Sequence, residues 1–181
     1  MTEISLNILD IAQNSVTSGA SLIEIIVSEQ PGDDRLSVTV TDNGCGMTAE
    51  QVENVTDPFY TTRSTRSVGL GTSFFKMAAE MTGGKFSIES EPGSGTSVLA
   101  EFVMSHVDRM PLGDMCGTVC TLIRMNPNLD FAYTHSVSGE SFALDTRELR
   151  EVLTDVPLDS HEVVGWINEY ITENTERLKQ K

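Results

Sequence analysis

The sequence predicts an α+β fold in which helices cover one face of a mixed or antiparallel sheet. Three observations carry that prediction. Segments that alternate apolar and polar residues, such as Leu36-Ser37-Val38-Thr39-Val40, read as half-buried strands. Between them lie segments with apolar residues three and four apart, which read as amphipathic helices. Glycine, proline and aspartate cluster where one pattern gives way to the other, as in Gln30-Pro31-Gly32-Asp33-Asp34 and Pro92-Gly93-Ser94-Gly95. No internal repeat or low-complexity tract stands out.

The elements follow in order. Over residues 3–18, Ile4, Ile8, Ile11 and Ser15 share one helical stripe, with Leu9, Ala12 and Val16 beside it. Thr2 suits the N-cap of this helix, and Gly19 suits its stop. Leu22 to Val27 and residues 36–41 form a predicted hairpin. Thr48 starts a short helix to Asn54, with Gln51 in the capping-box position. Asp57 to Gly71 reads as a loop rich in Thr, Ser and Arg. Thr72 to Met81 is helical and stops at Gly83-Gly84. Lys85 to Glu91 and Thr96 to Met104 are two further strands.

The composition changes after His106, so residues 1–106 are expected to be one domain and 107–181 a small α+β segment. Asp108 to Asp114 reads as a linker and Thr118 to Met125 as a strand. Leu129 to Val137 and Glu140 to Leu144 read as a hairpin turning at Ser138-Gly139. Asp145 caps a helix, with Glu148 in the capping-box place, and Pro157 breaks it. Asp159 and Glu162 then open a last helix to about Leu178.

The bulk numbers narrow the function. A net charge of −15 argues against nucleic-acid or anionic-membrane partners, both of which are negative. The acidity is spread along the chain: residues 1–106 hold 14 acids and 5 bases, and residues 107–181 hold 13 and 7. Cys45, Cys116 and Cys120 form no CxxC pair, so neither a disulfide framework nor a zinc site is indicated. The start lacks a basic n-region and no apolar run reaches membrane length, so a cytoplasmic, reducing setting is expected.

One stretch raises the functional question. Thr41-Asp42-Asn43-Gly44-Cys45-Gly46-Met47 puts a carboxylate at a strand's end beside two glycines. A tight turn explains the glycines but not the acid. A ligand needing close backbone approach and one hydrogen-bond acceptor explains both. On the first helix Asn7, Asp10 and Asn14 share a face, which is either its wet side or a polar site. An Asn oxygen can complete a magnesium shell without adding charge, and a carboxylate one turn earlier can serve as a base. A P-loop and a dinucleotide GxGxxG are both absent. Yet Gly69-Leu70-Gly71 stands at a helix start, where free amides attract anions, and Arg63 and Arg66 lie just before it.

Taken together, DIAQNS (10–15), TDNGCGM (41–47), DPFYTTR (57–63), VGLGTSFFKMAAEMTGGKFSIES (68–90) and PGSGT (92–96) occur in an order that resembles the GHKL superfamily of gyrase, heat-shock chaperone, histidine kinase and mismatch-repair ATPases. The resemblance covers residues 3 to about 104; from DPFYTTR onward it is nearest to histidine kinases, and the first helix looks more like the mismatch-repair ATPases. It implies a two-layer α/β sandwich of the Bergerat type that binds ATP and Mg2+. It assigns the adenine amino contact to Asp42, with Thr96 sharing a water-mediated contact and Gly44 and Gly46 flanking the base. Asn14 matches the magnesium ligand. Phe59 to Gly71, including Thr62 and Arg63, matches a lid over the phosphates, with Gly69, Leu70, Gly71 and Thr72 at its glycine hinge. Lys76 is expected at the surface.

Two features depart from histidine kinases. Only two residues precede the first helix, so no phosphoacceptor helix pair is expected, and His161-Glu162 lacks the residues that would follow an acceptor histidine. Asp10 stands where ATP-hydrolysing relatives carry a glutamate, which suits a general base although aspartate is one methylene shorter. The expected activity is γ-phosphate transfer to a separate partner protein; the alternatives are an ATPase or ATP-gated switch, and a nucleotide sensor without chemistry. Residues 107–181 are expected to recruit that partner or to form a homodimer, and their removal is expected to spare ATP affinity. Trp166 and Tyr170, with Val163, Ile167 and Ile171 nearby, are expected on a core-facing stripe. On a strand Cys116 and Cys120 would lie about 13 Å apart, too far to share a metal.

Overall fold

The computed structural model describes residues 3–57 and 70–180, with Leu70 described in its backbone alone. Helix α1 (Ile4–Thr17) buries Ile4, Ile8, Ile11 and Ala12. The proposed cap Thr2 lies outside the described residues, and Glu3 holds the cap position without a side-chain bond. The free amides of Ile4 and Ser5 instead donate to the carbonyls of Pro111 and Leu112, at 3.0 and 2.8 Å. The segment read as a linker thus closes the start of the first helix.

Strands β1 (Leu22–Gln30) and β2 (Arg35–Asp42) form the expected hairpin, joined through a short 3-10 turn. On β2 every second residue, Leu36, Val38, Val40 and Asp42, faces inward. In α2 (Ala49–Val55), Thr48 and Gln51 make both bonds of the capping box. Helix α3 (Leu70–Met81) buries Phe75 and Ala79 and ends at Gly83, whose φ is 78°. Strands β3 (Lys85–Glu91) and β4 (Gly95–Val103) complete this part.

The segment expected as a strand at 118–125 is a helix, α4 (Met115–Met125). Its β-branched residues favour a strand locally, but Met115, Thr118, Val119, Leu122 and Ile123 are buried at helical spacing. Asp114 fixes the start by accepting the Gly117 amide at 2.8 Å. Next come β5 (Asp130–Val137) and β6 (Glu140–Asp145), joined by Ser138 and Gly139 with φ of 52° and 88°. Two successive positive φ values suit the twist of a two-residue hairpin. Helix α5 (Thr146–Leu153) is capped by Asp145 as expected. Helix α6 (His161–Lys179) is capped by Ser160, not Asp159: the Ser160 hydroxyl accepts the Val163 amide.

The six strands form one mixed sheet in the order β3-β4-β2-β1-β5-β6, antiparallel except for the β1–β5 pair. The division expected at residue 106 falls in the turn after β4. Beyond it, β5 and β6 extend the sheet from β1, and α4 and α6 join α1 and α3 in the helical layer. The core lies between that layer and the inward residues of the strands. The other face of the sheet carries Thr39, Thr41, Ser97 and an Ile26 that is 45% exposed. Among the described residues no helix is long and apolar enough to cross a membrane.

Candidate functional site

The alternation of β2 sends Asp42 inward at the strand's last position, so the rule that buries Val38 and Val40 also buries a carboxylate. Only 8% of Asp42 is exposed. The Ser15 hydroxyl donates to Asp42 Oδ2 at 2.5 Å, and the Gly44 amide donates to Oδ1 at 2.8 Å. Each oxygen keeps further acceptor capacity, and its direction is fixed from two elements.

The turn after Asp42 is held by side chains. Asn43 accepts the amides of Ser21 and Leu22 and donates to the Ser21 hydroxyl, which ties it to the entry of β1. Added methyl groups would run into Ser18 Oγ at Gly44 and into the Glu91 carbonyl at Gly46, where φ is also 67°. Internal packing thus requires both glycines. Thr96 stands opposite Asp42 in the β2–β4 register, and its hydroxyl pairs with Ser90 Oγ at 2.9 Å.

These groups line a cavity of about 250 Å³. Ile11, Met47, Val55, Ile88 and Val98 supply apolar walls; Asn14, Ser15, Asp42, Thr72 and Thr96 supply polar atoms; and Gly46 and Cys45 form part of the rim. Apolar walls with a few convergent polar groups suit a flat ring that carries a donor.

The opposite end is built from α1 and α3. Asn14 lines the cavity. Asp10 lies one turn earlier, against the start of α3: a methyl at Gly71 would meet Asp10 Cβ at 2.9 Å and Oδ2 at 3.1 Å. Partial burial disfavours the charged form of Asp10 and raises its pKa. The buried Thr72 follows Gly71. Among the described residues no three of His, Cys, Asp or Glu gather as a cage. A cation held by Asn14 would take its other ligands from phosphate and water, as Mg2+ does.

The structure brings Asn14, Asp42, Gly46, Thr72 and Thr96 to one cavity, with Gly44 behind Asp42 and Asp10 beside Gly71. Phe59, Thr62, Arg63 and Gly69 lie outside the described residues, and Leu70 opens α3. Asn7 does not sit on a wet face; it is 1% exposed and its Oδ1 finds no partner among the described residues. Ser15, which holds Asp42 and lines the cavity, is the residue of the candidate site that sequence reasoning missed. A hydroxyl in an otherwise apolar stripe was the available signal, since it needs a buried acceptor.

Known proteins resemble this chain in sequence and in fold. Residues 1–106 match the family described as histidine kinase-, DNA gyrase B- and HSP90-like ATPases. The sensor histidine kinase ZraS of Klebsiella oxytoca is 34% identical over 89 residues, or 49% of this chain and 19% of that protein. Sporulation kinase E of Bacillus subtilis is 30% identical over 96 residues, or 53% of this chain and 13% of that protein. The chain therefore spans a fifth or less of the length of these curated relatives. Among solved structures, the N-terminal domain of a DNA repair protein superposes with a TM-score of 0.57 at 16% identity, covering 80% of this chain and 53% of that one. The Aquifex aeolicus MutL ATPase domain complexed with ADP gives a TM-score of 0.50 at 14% identity, covering 85% and 70%. The family match spans more than half of the chain and includes every element that builds the cavity, so the chain belongs to the histidine kinase-, DNA gyrase B- and HSP90-like ATPase family.

Proposed function

We propose that the chain binds Mg-ATP in this cavity and transfers the γ-phosphate to a separate partner protein. The observation that carries the binding step is the pinned carboxylate of Asp42 among apolar walls. The adenine amino group donates to Asp42, while Thr96 stands across the strand pair within reach of the same edge. Asn14 holds Mg2+, which neutralises phosphate charge when bound. Similarity to the sensor and sporulation kinases supports transfer to a protein. Three free cysteines support a reducing, cytoplasmic setting.

One observation favours a second reading, an ATPase or ATP-gated switch. Asp10 is partly exposed and has a raised pKa beside the start of α3, which suits a base for water. Calorimetry with Mg-ATP tests binding. Asp42→Ala is expected to weaken affinity by roughly 10- to 150-fold, the loss of a hydrogen bond to a charged group. Unchanged affinity in that variant ends the binding proposal. γ-Labelled ATP then separates the chemistries: label on a partner supports transfer, and free phosphate supports hydrolysis. Asp10→Asn is expected to remove turnover and keep binding.

A further inference from the structure

We infer that Cys116, with Cys120 behind it, is a site of reversible thiol oxidation by hydroperoxides in the seam between α4 and α6. The expected strand would have kept these sulfurs apart; the helix puts them one turn apart on one face. Cys116 is the second residue of α4, at the positive end of the helix dipole, with the cap carboxylate of Asp114 opposing it. From α6, the Thr172 hydroxyl donates to Cys116 Sγ at 3.6 Å, and as a thiol Cys116 donates to the Asn168 carbonyl at 3.5 Å. Cys116 is half-buried and Cys120 buried, so an oxidant reaches the first sulfur and not the second.

The surroundings divide the labour. A hydrogen bond within the thiol pair, with the Thr172 hydroxyl, lowers the Cys116 pKa against burial and the Asp114 carboxylate. Giving that bond, with burial, pushes Cys120 up and keeps it protonated. The Tyr133 phenol, below on β5, also stays neutral because burial raises its pKa. An accessible thiolate beside a protected second thiol is the arrangement that sulfenic acid chemistry uses.

The Cys116 thiolate attacks one peroxide oxygen. The S–O bond forms, the O–O bond breaks, and the leaving oxygen takes a proton as water or alcohol. Sulfur is oxidised to sulfenic acid and the peroxide is reduced. The Cys120 thiol then attacks the sulfenic sulfur; the S–S bond forms and water leaves with the Cys120 proton. Residues four apart on a helix have Cβ atoms about 5–6 Å apart, beyond the ~3.5–4.5 Å that a disulfide spans. The disulfide step therefore requires the first turn of α4 to loosen, which makes it slower than sulfenic acid formation and easily reversed.

Peroxide treatment of the full chain at neutral pH with a dimedone trap, followed by peptide mapping, tests the assignment. The adduct is expected on Cys116, and several-fold more of it in Cys120→Ser, which lacks the second thiol. Without the trap, a link between Cys116 and Cys120 that dithiothreitol reverses is expected. Iodoacetamide rates at Cys116 should be half-maximal below the ~8.5 of a free thiol. In Thr172→Val that midpoint should move toward the ~8.5 of a free thiol. The exposed Cys45 is the internal comparator. Label confined to Cys45, or a Cys116 midpoint at the ordinary value in the unsubstituted chain, overturns the assignment.

Discussion

The two flanks of the sheet use the same architecture for opposite ends. Near the Asp42 end of β2 and β4 the inward residues are short, Val40, Val98 and Ala100, and α1 and α3 above them leave a cavity that ends on Asp42. Around β5 and β6 the inward residues are large. Phe142 meets Tyr133 and Tyr170 edge-on at 5.9 and 6.0 Å between ring centres. Tyr170 in turn stacks on Trp166 at 5.2 Å. The polar groups of this flank are spent on one another: the Tyr133 hydroxyl meets His135 Nδ1 at 3.1 Å, and His135 Nε2 meets Glu29 at 2.8 Å. Ligand space thus opens where core side chains are short and a strand ends in an acid. It closes where aromatic rings fill the same layer.

The sharpest way to break this comparison is to end the chain at residue 106. That removes the strand paired with β1 and the carbonyls that receive the Ile4 and Ser5 amides. The sequence alone leads to the expectation that this removal spares ATP affinity; because the segment shares the sheet, the expected result is instead loss of cooperative folding, read by thermal circular dichroism, and with it loss of nucleotide uptake. A truncated chain that melts cooperatively and binds Mg-ATP would make the two flanks separable.

Tyr133→Ala comes next. It empties the centre of the aromatic flank and is expected to cost about 3–5 kcal/mol in urea unfolding. The loss should appear in one transition that also carries the cavity flank, because both share β1. Two resolved transitions would show separate cooperative units.

Gly46→Ala tests the cavity flank. Its left-handed backbone and the methyl aimed at the Glu91 carbonyl are expected to cost about 1–3 kcal/mol. Gly139→Ala on the other flank, also at positive φ but with open space around it, should cost less. Equal costs would remove the role assigned to the Glu91 contact.

The smallest effect concerns pH. The His135 hydrogen bond and charge hold the Glu29 pKa below its ordinary value despite burial. Its contribution is then fully present above the unfolded value of about 4.3 and is lost as pH falls through the folded value. Glu29→Gln should remove about 1 kcal/mol at neutral pH and flatten that part of the acid limb. An unchanged acid limb would exclude the pair as its cause.

Much of the cavity flank was legible because its signals are local. Period-two strands, the Thr48–Gln51 box and the glycines after Asp42 and Met81 each act within a few residues. The aromatic flank was less legible. Thr118, Val119, Thr121 and Ile123 favour a strand, yet burial of Thr118, Val119 and Ile123 at helical spacing, with α4 packed on α1 and α6, selects a helix. Trp166, expected on the core-facing stripe, is 48% exposed because stacking on Tyr170 holds it at the edge of that stripe.

By itself the sequence determined the β1–β2, β3–β4 and β5–β6 hairpins and the acid at the end of β2, because each depends on periodicity or backbone freedom within a few residues. Tertiary structure alone decided that Ser15 aims Asp42, that β5 runs parallel to β1, that α4 is a helix and that Cys116 meets Cys120. Those outcomes depend on which surfaces meet across long stretches of chain, and pairing energy between distant segments leaves no fixed spacing in either one.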